Sequence, residues 1–415
     1  MKIALVSEHT RPLSAHRGEP TCGGSVHVSS LARQLARLGH RVTVYARRGD
    51  SALPDRARMG RGVTVAHLAA GPPRTLTESE SAEHTGAFAT ALAEALVDDA
   101  PEVVHAFGWT SGLAALSAVR REAAEAPTPP VVQSFHSLNV AEQRAGLPRR
   151  DERVRLEAAL AGRADAVVVT SAEQRFELAR MGVPRTSVGV IPFGVDTEHF
   201  TVEGATAASP WRRRRDERVR IVSVTRLGTG GGAEALVETM SRVPEAELVI
   251  AGGPARDDLA IDPDARRLEL LAKEHGVDDR VTLVGAVDRK ELPRLLRSAD
   301  VFVSAAGYEP YGGAVLEAMS CGLPVVARAA GGVTDAVLDG TTGILLRHAR
   351  PDALGRAIRQ LAADPTSRTA FGIAAADRAA SRFTWQRVAS ETERVYRRAL
   401  PQEGDLPLAA GDDAH

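Results

Sequence analysis

The chain has 415 residues, 44% hydrophobic and 25% charged, with 52 Lys plus Arg against 53 Asp plus Glu and a formal net charge of -1. At ~100–200 residues per domain this favours two domains over one, and the lack of a basic excess argues against nucleic acid as a partner. No run reaches the ~18–20 apolar residues of a bilayer span, the Ile3–Val6 run is too short for a signal-peptide core, and two distant cysteines, Cys22 and Cys321, fit neither a disulfide framework nor a zinc site.

Short β-branched runs alternate with longer helical patterns, which predicts a parallel α/β architecture, and a cytoplasmic location is expected. In the first half the predicted strands are 2–6, 41–46, 63–66, 102–105, 131–135 and 166–170. Val28, Leu31, Leu35 and Leu38 recur at spacings of three and four and predict a helix ended by Gly39. A second helix is expected over 87–97, with Phe88, Leu92 and Leu96 on one face.

The second half restarts the pattern, with strands expected at 218–225, 246–251, 280–284, 301–304, 324–327 and 343–346. Helices fit between them at 233–241, 268–275, 289–297, 314–321 and 352–363. About six strands per half predict two doubly wound, Rossmann-like domains facing a cleft, 1–200 and 201–382. Trp211 and Arg212–Arg215 fall in the expected linker, where a solvated lead-in outweighs an anion site. Residues 383–400 read as a last helix that packs back on the first domain, and the Pro/Gly/Asp-rich 401–415 tail as disordered.

Ligands of doubly wound sheets bind at the carboxyl ends of strands, where glycine-rich turns open helices. Three such turns occur: Gly23-Gly24, Gly228 to Ala233, and Gly312-Gly313. The middle one matches Gly-x-Gly-x-x-Ala, yet the next strand ends in Gly252-Gly253-Pro254 where a dinucleotide site needs an acidic residue. A nicotinamide cofactor is therefore not expected.

The most specific segment runs from Gly307 through Glu309, Tyr311, Gly312, Gly313 and Glu317 to Cys321. Glycine amides at a helix start can hold a phosphate, and the flanking carboxylates can accept hydrogen bonds from sugar hydroxyls. In isolation both glutamates could be solvated helix-end charges. His136 alone could be a satisfied strand-end histidine, and Cys321 reads as a small buried hydrophobe. His9, His27 and His105 lack metal-ligand spacing and read as structural.

This constellation resembles the Glu-x7-Glu motif of family 4 of the retaining glycosyltransferases, which have the GT-B fold. Six further segments match in order: Gly23-Gly24 with Val26–Leu38; Val103 to Gly112; Gln133 to Leu138; Ile191 to Asp196 with Phe200; Arg226-Leu227; and Ala251 to Pro254 with Ala299 to Val301. Within the family the likeness is to enzymes acting on inositol phosphate and to sucrose-synthase-like members. The resemblance implies a hexosyltransferase-like enzyme that takes a nucleotide-diphosphate sugar as co-substrate, with no cofactor and no metal. Glu309 would bind the transferred sugar and Glu317 the ribose. Arg226 and the Tyr311–Gly313 backbone would meet the diphosphate, with Gly23, Gly24, Gly230 and Gly231 close by. His136 would stand at the reaction centre, and the acceptor would meet Glu78, Trp109, His136, Asn139 and Arg144. A homodimer fits this picture.

The sequence departs from the family at two places. The lysine usual five residues after the arginine is here Gly231, and successive amides of the Gly228–Gly232 turn are expected to substitute as an anion nest. Restoring Lys at 231 without structural change would test that. On the acceptor side, Glu78 and Glu142 stand where basic residues are usual, so a neutral or zwitterionic small acceptor is expected, in a bacterial and specialised-metabolism setting. The rivals are a non-catalytic nucleotide-sugar-binding relative and another GT-B enzyme such as a sugar-nucleotide epimerase.

Overall fold

The computed structural model describes residues 1–17, 22–121, 128–206 and 218–401. The basic stretch 212–215 and the expected disordered tail from 402 onward lie outside the described residues.

The first sheet contains β1 (Lys2–Val6), β2 (Arg41–Arg47), β3 (Arg56–Arg58), β4 (Val63–Leu68), β5 (Val103–Phe107), β6 (Val131–Ser134), β7 (Ala166–Val169) and β8 (Val188–Val190). Their order is β3-β4-β2-β1-β5-β6-β7-β8. All neighbours pair in parallel except β3, which runs antiparallel to β4. The second sheet contains β9 (Val219–Val224), β10 (Ala246–Ala251), β11 (Val281–Gly285), β12 (Val301–Ser304), β13 (Val325–Arg328) and β14 (Gly343–Leu346), ordered β11-β10-β9-β12-β13-β14. These two sheets are the two Rossmann-like halves of a GT-B fold.

The strands are nearly continuous apolar runs because helices cover both faces of each sheet. Leu5, Val44, Val103 and Val132 are buried in one sheet, and Ile221, Ile250, Val303 and Val326 in the other. Strand order reverses between β1 and β5 and again between β9 and β12, and at such switch points the chain opens crevices for ligands.

The first sheet has two strands more than the roughly six expected. β3 reads Arg-Ala-Arg and β8 is three residues, so neither carries a β-branched run long enough to register. The expected helix at 28–38 begins earlier, as Gly23–Arg37, with Cys22 at its N-cap and Leu38 at its C-cap. A further helix, Pro365–Arg382, was not anticipated from the sequence. It buries small residues, Gly372, Ala375 and Ala379, where a pattern search looks for large apolar ones.

The last helix, Trp385–Ala399, packs on the Gly23–Arg37 helix of the first domain. Its Tyr396 hydroxyl bonds His105 Nδ1 at 2.7 Å, and its Glu393 meets His40 at 3.1 Å. Trp385 also presses against Phe193 of the chain crossing between domains, with ring centroids 4.9 Å apart. The end of the chain thereby ties the two domains together.

Candidate functional site

The two domains approach closely at two glycines. A Cβ on Gly23 would come 2.9 Å from the Tyr311 ring of the second domain, and one on Gly24 would come 2.9 Å from the His136 ring. Only glycine allows both side chains to close over this helix start. The Tyr311 and His136 ring centroids are 5.8 Å apart, so the β6 end of one domain meets the β12 loop of the other here.

His136 follows β6, and its Nδ1 lies 3.1 Å from His9 Nε2, just past the end of β1. Its Nε2 is buried with no hydrogen-bond partner among the described residues. Burial, reinforced by His9, His27 and His105, holds the His136 pKa well below the ordinary histidine value. Burial also brings His27 to about 4, so that imidazole is neutral at pH 7.

Across the crevice, the Glu309 carboxylate lies beside the amides of Tyr311 and Gly312 at the start of the Gly313–Ser320 helix. Burial raises the Glu309 pKa, while those amides and Arg226 oppose the rise. The turn requires glycine at 312, whose φ is 68°. Glu317, one turn into the helix, pairs with Arg289 at 2.7 Å, and the Arg289 guanidinium lies 5.0 Å over the Phe200 ring. Gly23, Arg289, Glu309, Tyr311, Gly313 and Glu317 line one cavity of about 380 Å³.

The Gly228–Gly232 turn engages one of the amides expected to form an anion nest. The Gly231 amide donates to Gly228 O at 3.2 Å, and Thr225 Oγ1 donates to Gly231 O at 2.6 Å. Gly230 O accepts from Gly307 N at 3.0 Å. The Gly231 amide is therefore engaged within the turn. A Cβ at 231 would run into the Arg226 carbonyl oxygen, so no side chain fits there without a backbone shift. The proposed Gly231→Lys test without structural change cannot be realised. Gly230, at φ 85°, places its open side 4.0 Å from Arg226 Nη2.

A second cavity, of about 290 Å³, opens on the first domain and is lined by His9, Glu78, Trp109, His136, Glu142 and Arg153 among others. Arg153 Nη1 meets Glu78 at 2.8 Å and Glu142 at 3.0 Å, and its Nε meets Glu157 at 2.8 Å. Trp109 Nε1 donates to Glu78 at 2.7 Å. Burial pushes Glu157 up to about 7 despite Arg153. Burial would raise Glu142 too, but Ser137, Arg153 and Asn139 outweigh it and hold it below the usual value.

Two expected acceptor residues are not in this wall. Asn139 is buried, its amide donating to Glu142 at 3.2 Å and Pro148 O at 3.3 Å while its Oδ1 accepts from Arg150 N at 2.7 Å. It shapes the loop instead. Arg144 turns away to pair with Glu177 and, at 3.7 Å, Glu173. Residues missed from the sequence are Arg153, Arg289 and His9. His9 had a usable signal, since it follows the first strand at its ligand-facing end. The two arginines had none, as nothing local separates them from neighbouring arginines. Among the described residues no His, Cys, Asp or Glu cluster could hold a metal ion.

This double crevice is that of a GT-B glycosyltransferase, and the comparisons agree. Residues 21–199 match the Glycosyltransferase Family 4 model, and residues 208–378 match glycosyl transferases group 1. A D-inositol 3-phosphate glycosyltransferase of Kribbella flavida is 32% identical, covering 96% of each chain. One from Kineococcus radiotolerans is 34% identical over 96% of this chain and 95% of the relative. Among solved structures, sucrose-phosphate synthase from Thermosynechococcus elongatus superposes with a TM-score of 0.83 at 27% identity, covering 96% of this chain and 98% of that one. Anabaena Alr3699/HepE, solved with UDP and glucose, shares the fold at a TM-score of 0.73 and 18% identity, over 96% and 99% of the two chains. The chain belongs to glycosyltransferase family 4 and is a glycosyltransferase.

Proposed function

We propose that the protein transfers a sugar, with retention, from a nucleotide-diphosphate sugar to a small acceptor that carries no phosphate. The donor occupies the 380 Å³ cavity. Glu317, oriented by Arg289, accepts from the ribose, and Glu309 accepts from hydroxyls of the transferred sugar. Arg226 and the amide end of the Gly313–Ser320 helix supply positive potential at the diphosphate without a metal. The anomeric C–O bond to the β-phosphate breaks and the bond to the acceptor oxygen forms on the same face. The acceptor proton passes to the departing phosphate oxygen. The neutral His136 stands beside the sugar as a hydrogen-bond partner.

The meeting of His136 with the Glu309–Gly313 turn across Gly23 and Gly24 carries this reading. For the acceptor, the carrying observation is charge. Arg153, the cation of the second cavity's wall, is already surrounded by Glu78, Glu142 and Glu157. A phosphorylated acceptor of the kind named for the curated relatives would meet a surplus of carboxylate. The test pairs each donor with myo-inositol and with its 3-phosphate. The expected result is an α-linked product from an α-linked donor, unaffected by EDTA, with the unphosphorylated cyclitol preferred at least tenfold. Inversion at the anomeric carbon, or preference for the phosphate, would refute the respective part.

A further inference from the structure

Next to the acceptor cavity lies a chamber of about 400 Å³, and the two share His9, Leu76 and Ser81 in their walls. Glu8, immediately after the first strand, lines that chamber. Its side chain is 1% exposed, and neither carboxylate oxygen has a hydrogen-bond partner among the described residues. The Thr110 and Ser81 hydroxyls and the Arg47 guanidinium lie near enough to offset part of the burial that raises its pKa, but outside bonding geometry. Arg47 gives its Nη1 and Nη2 to the carbonyl oxygens of Pro72, Arg48 and Arg74, and its buried Nε, like the Glu8 oxygens, has no hydrogen-bond partner among the described residues.

A buried carboxylate without partners is costly in a folded protein and is retained where something else supplies the bonds. The Glu8 backbone is fixed on both sides: its amide donates to Ser111 Oγ at 3.0 Å, and its carbonyl accepts from Arg47 N at 3.1 Å. The side chain is therefore held against the chamber rather than left there by a loose loop. The main reaction, as read above, uses no group at this position.

Resting on the glycosyltransfer reading, we infer that Glu8 selects the acceptor by accepting hydrogen bonds from a donor group, hydroxyl or ammonium, on the part of that molecule remote from its nucleophile. The acceptor thus extends past His9 and ends in a polyol or an amine. The chamber favours such an end over an apolar one because only a hydrogen-bond donor satisfies the two oxygens.

Purified wild type, Glu8→Gln and Glu8→Met are compared with the donor that wild type hydrolyses, using myo-inositol, glucosamine and 2-deoxystreptamine as acceptors. Expected is transfer to at least one probe. Its kcat/KM falls at least tenfold in Glu8→Met, while KM for the donor and the rate of donor hydrolysis stay within twofold in the same samples. Those two donor readouts also show that the variants are folded. Glu8→Gln separates the two chemistries: it keeps most transfer to a hydroxyl end and loses that to an ammonium end. Transfer within twofold of wild type in both variants overturns the inference, as does a wild type that hydrolyses donor but uses none of the probes. A wild type that binds no sugar nucleotide at all refutes the underlying glycosyltransfer reading instead.

Discussion

Single residues in this protein are fixed by what stands close to them. Gly231 occupies the position where a family lysine would add a second cation, and the Arg226 carbonyl closes that space. On the proposed reading, the diphosphate contact falls to Arg226 and backbone amides, because position 231 has no room for a side chain. Accordingly, Gly231→Lys should lower the melting temperature and leave nucleotide affinity the same or weaker. A gain in affinity at unchanged stability, read by calorimetry and thermal melts, would contradict this account. The glutamates Glu309 and Glu317 were legible in the sequence because their partners, the Gly312-Gly313 turn and each other, lie within one short segment. Arg289 and Arg153 were not, since each acquires its meaning from carboxylates brought near by folding: Glu317 for one, Glu78 and Glu142 for the other.

At the scale of elements, the Asp151–Arg163 helix supplies Arg153 to the acceptor wall and, four residues on along the same face, the buried Glu157 that pairs with it. Glu157 carries a folded-state pKa of about 7 against an ordinary 4.5. The folded protein thus binds that proton more tightly than the unfolded chain. The resulting stability is full below pH 4.5 and is lost as the pH rises through about 7. Glu157→Gln removes this dependence, so the difference in melting temperature between variant and wild type should move in the variant's favour from pH 4.5 to 7.5. A difference that stays constant across that range would show that the carboxyl titrates normally. The strands and major helices were legible from periodicity, because their apolar faces meet a two-sided sheet. The Arg-Ala-Arg edge strand and the Pro365–Arg382 helix were not. An antiparallel edge strand draws its definition from its neighbour's hydrogen bonds, and that helix packs through glycine and alanine.

For the whole molecule, the last helix determines how the domains are held. It arises after the second domain yet closes the back of the first, where Tyr396 satisfies the buried His105 Nδ1. Tyr396→Phe leaves that nitrogen without a partner and should cost about 1–3 kcal/mol. The cost should be seen as a lower denaturant midpoint with an unchanged m-value. No change in midpoint would mean the helix is held by its apolar face alone. The near-zero net charge of the chain, which argued against polyanions, conceals an uneven distribution. Arg289 lines the donor cavity at the start of the Gly313–Ser320 helix, while Glu78 and Glu142 flank Arg153 in the wall of the second cavity.

The most direct test is donor hydrolysis by wild type and Glu309→Gln across UDP-, GDP-, ADP- and dTDP-sugars, with thermal melts alongside. One nucleotide should raise the melting temperature of both proteins, since Glu317 and Arg289 remain in place. Release of that nucleotide should fall on the order of 10²-fold in the variant, the loss typical when a group aimed at the reacting centre is removed. Equal release by the two proteins, or no nucleotide diphosphate that stabilises either, would contradict the assignment of this crevice to sugar transfer.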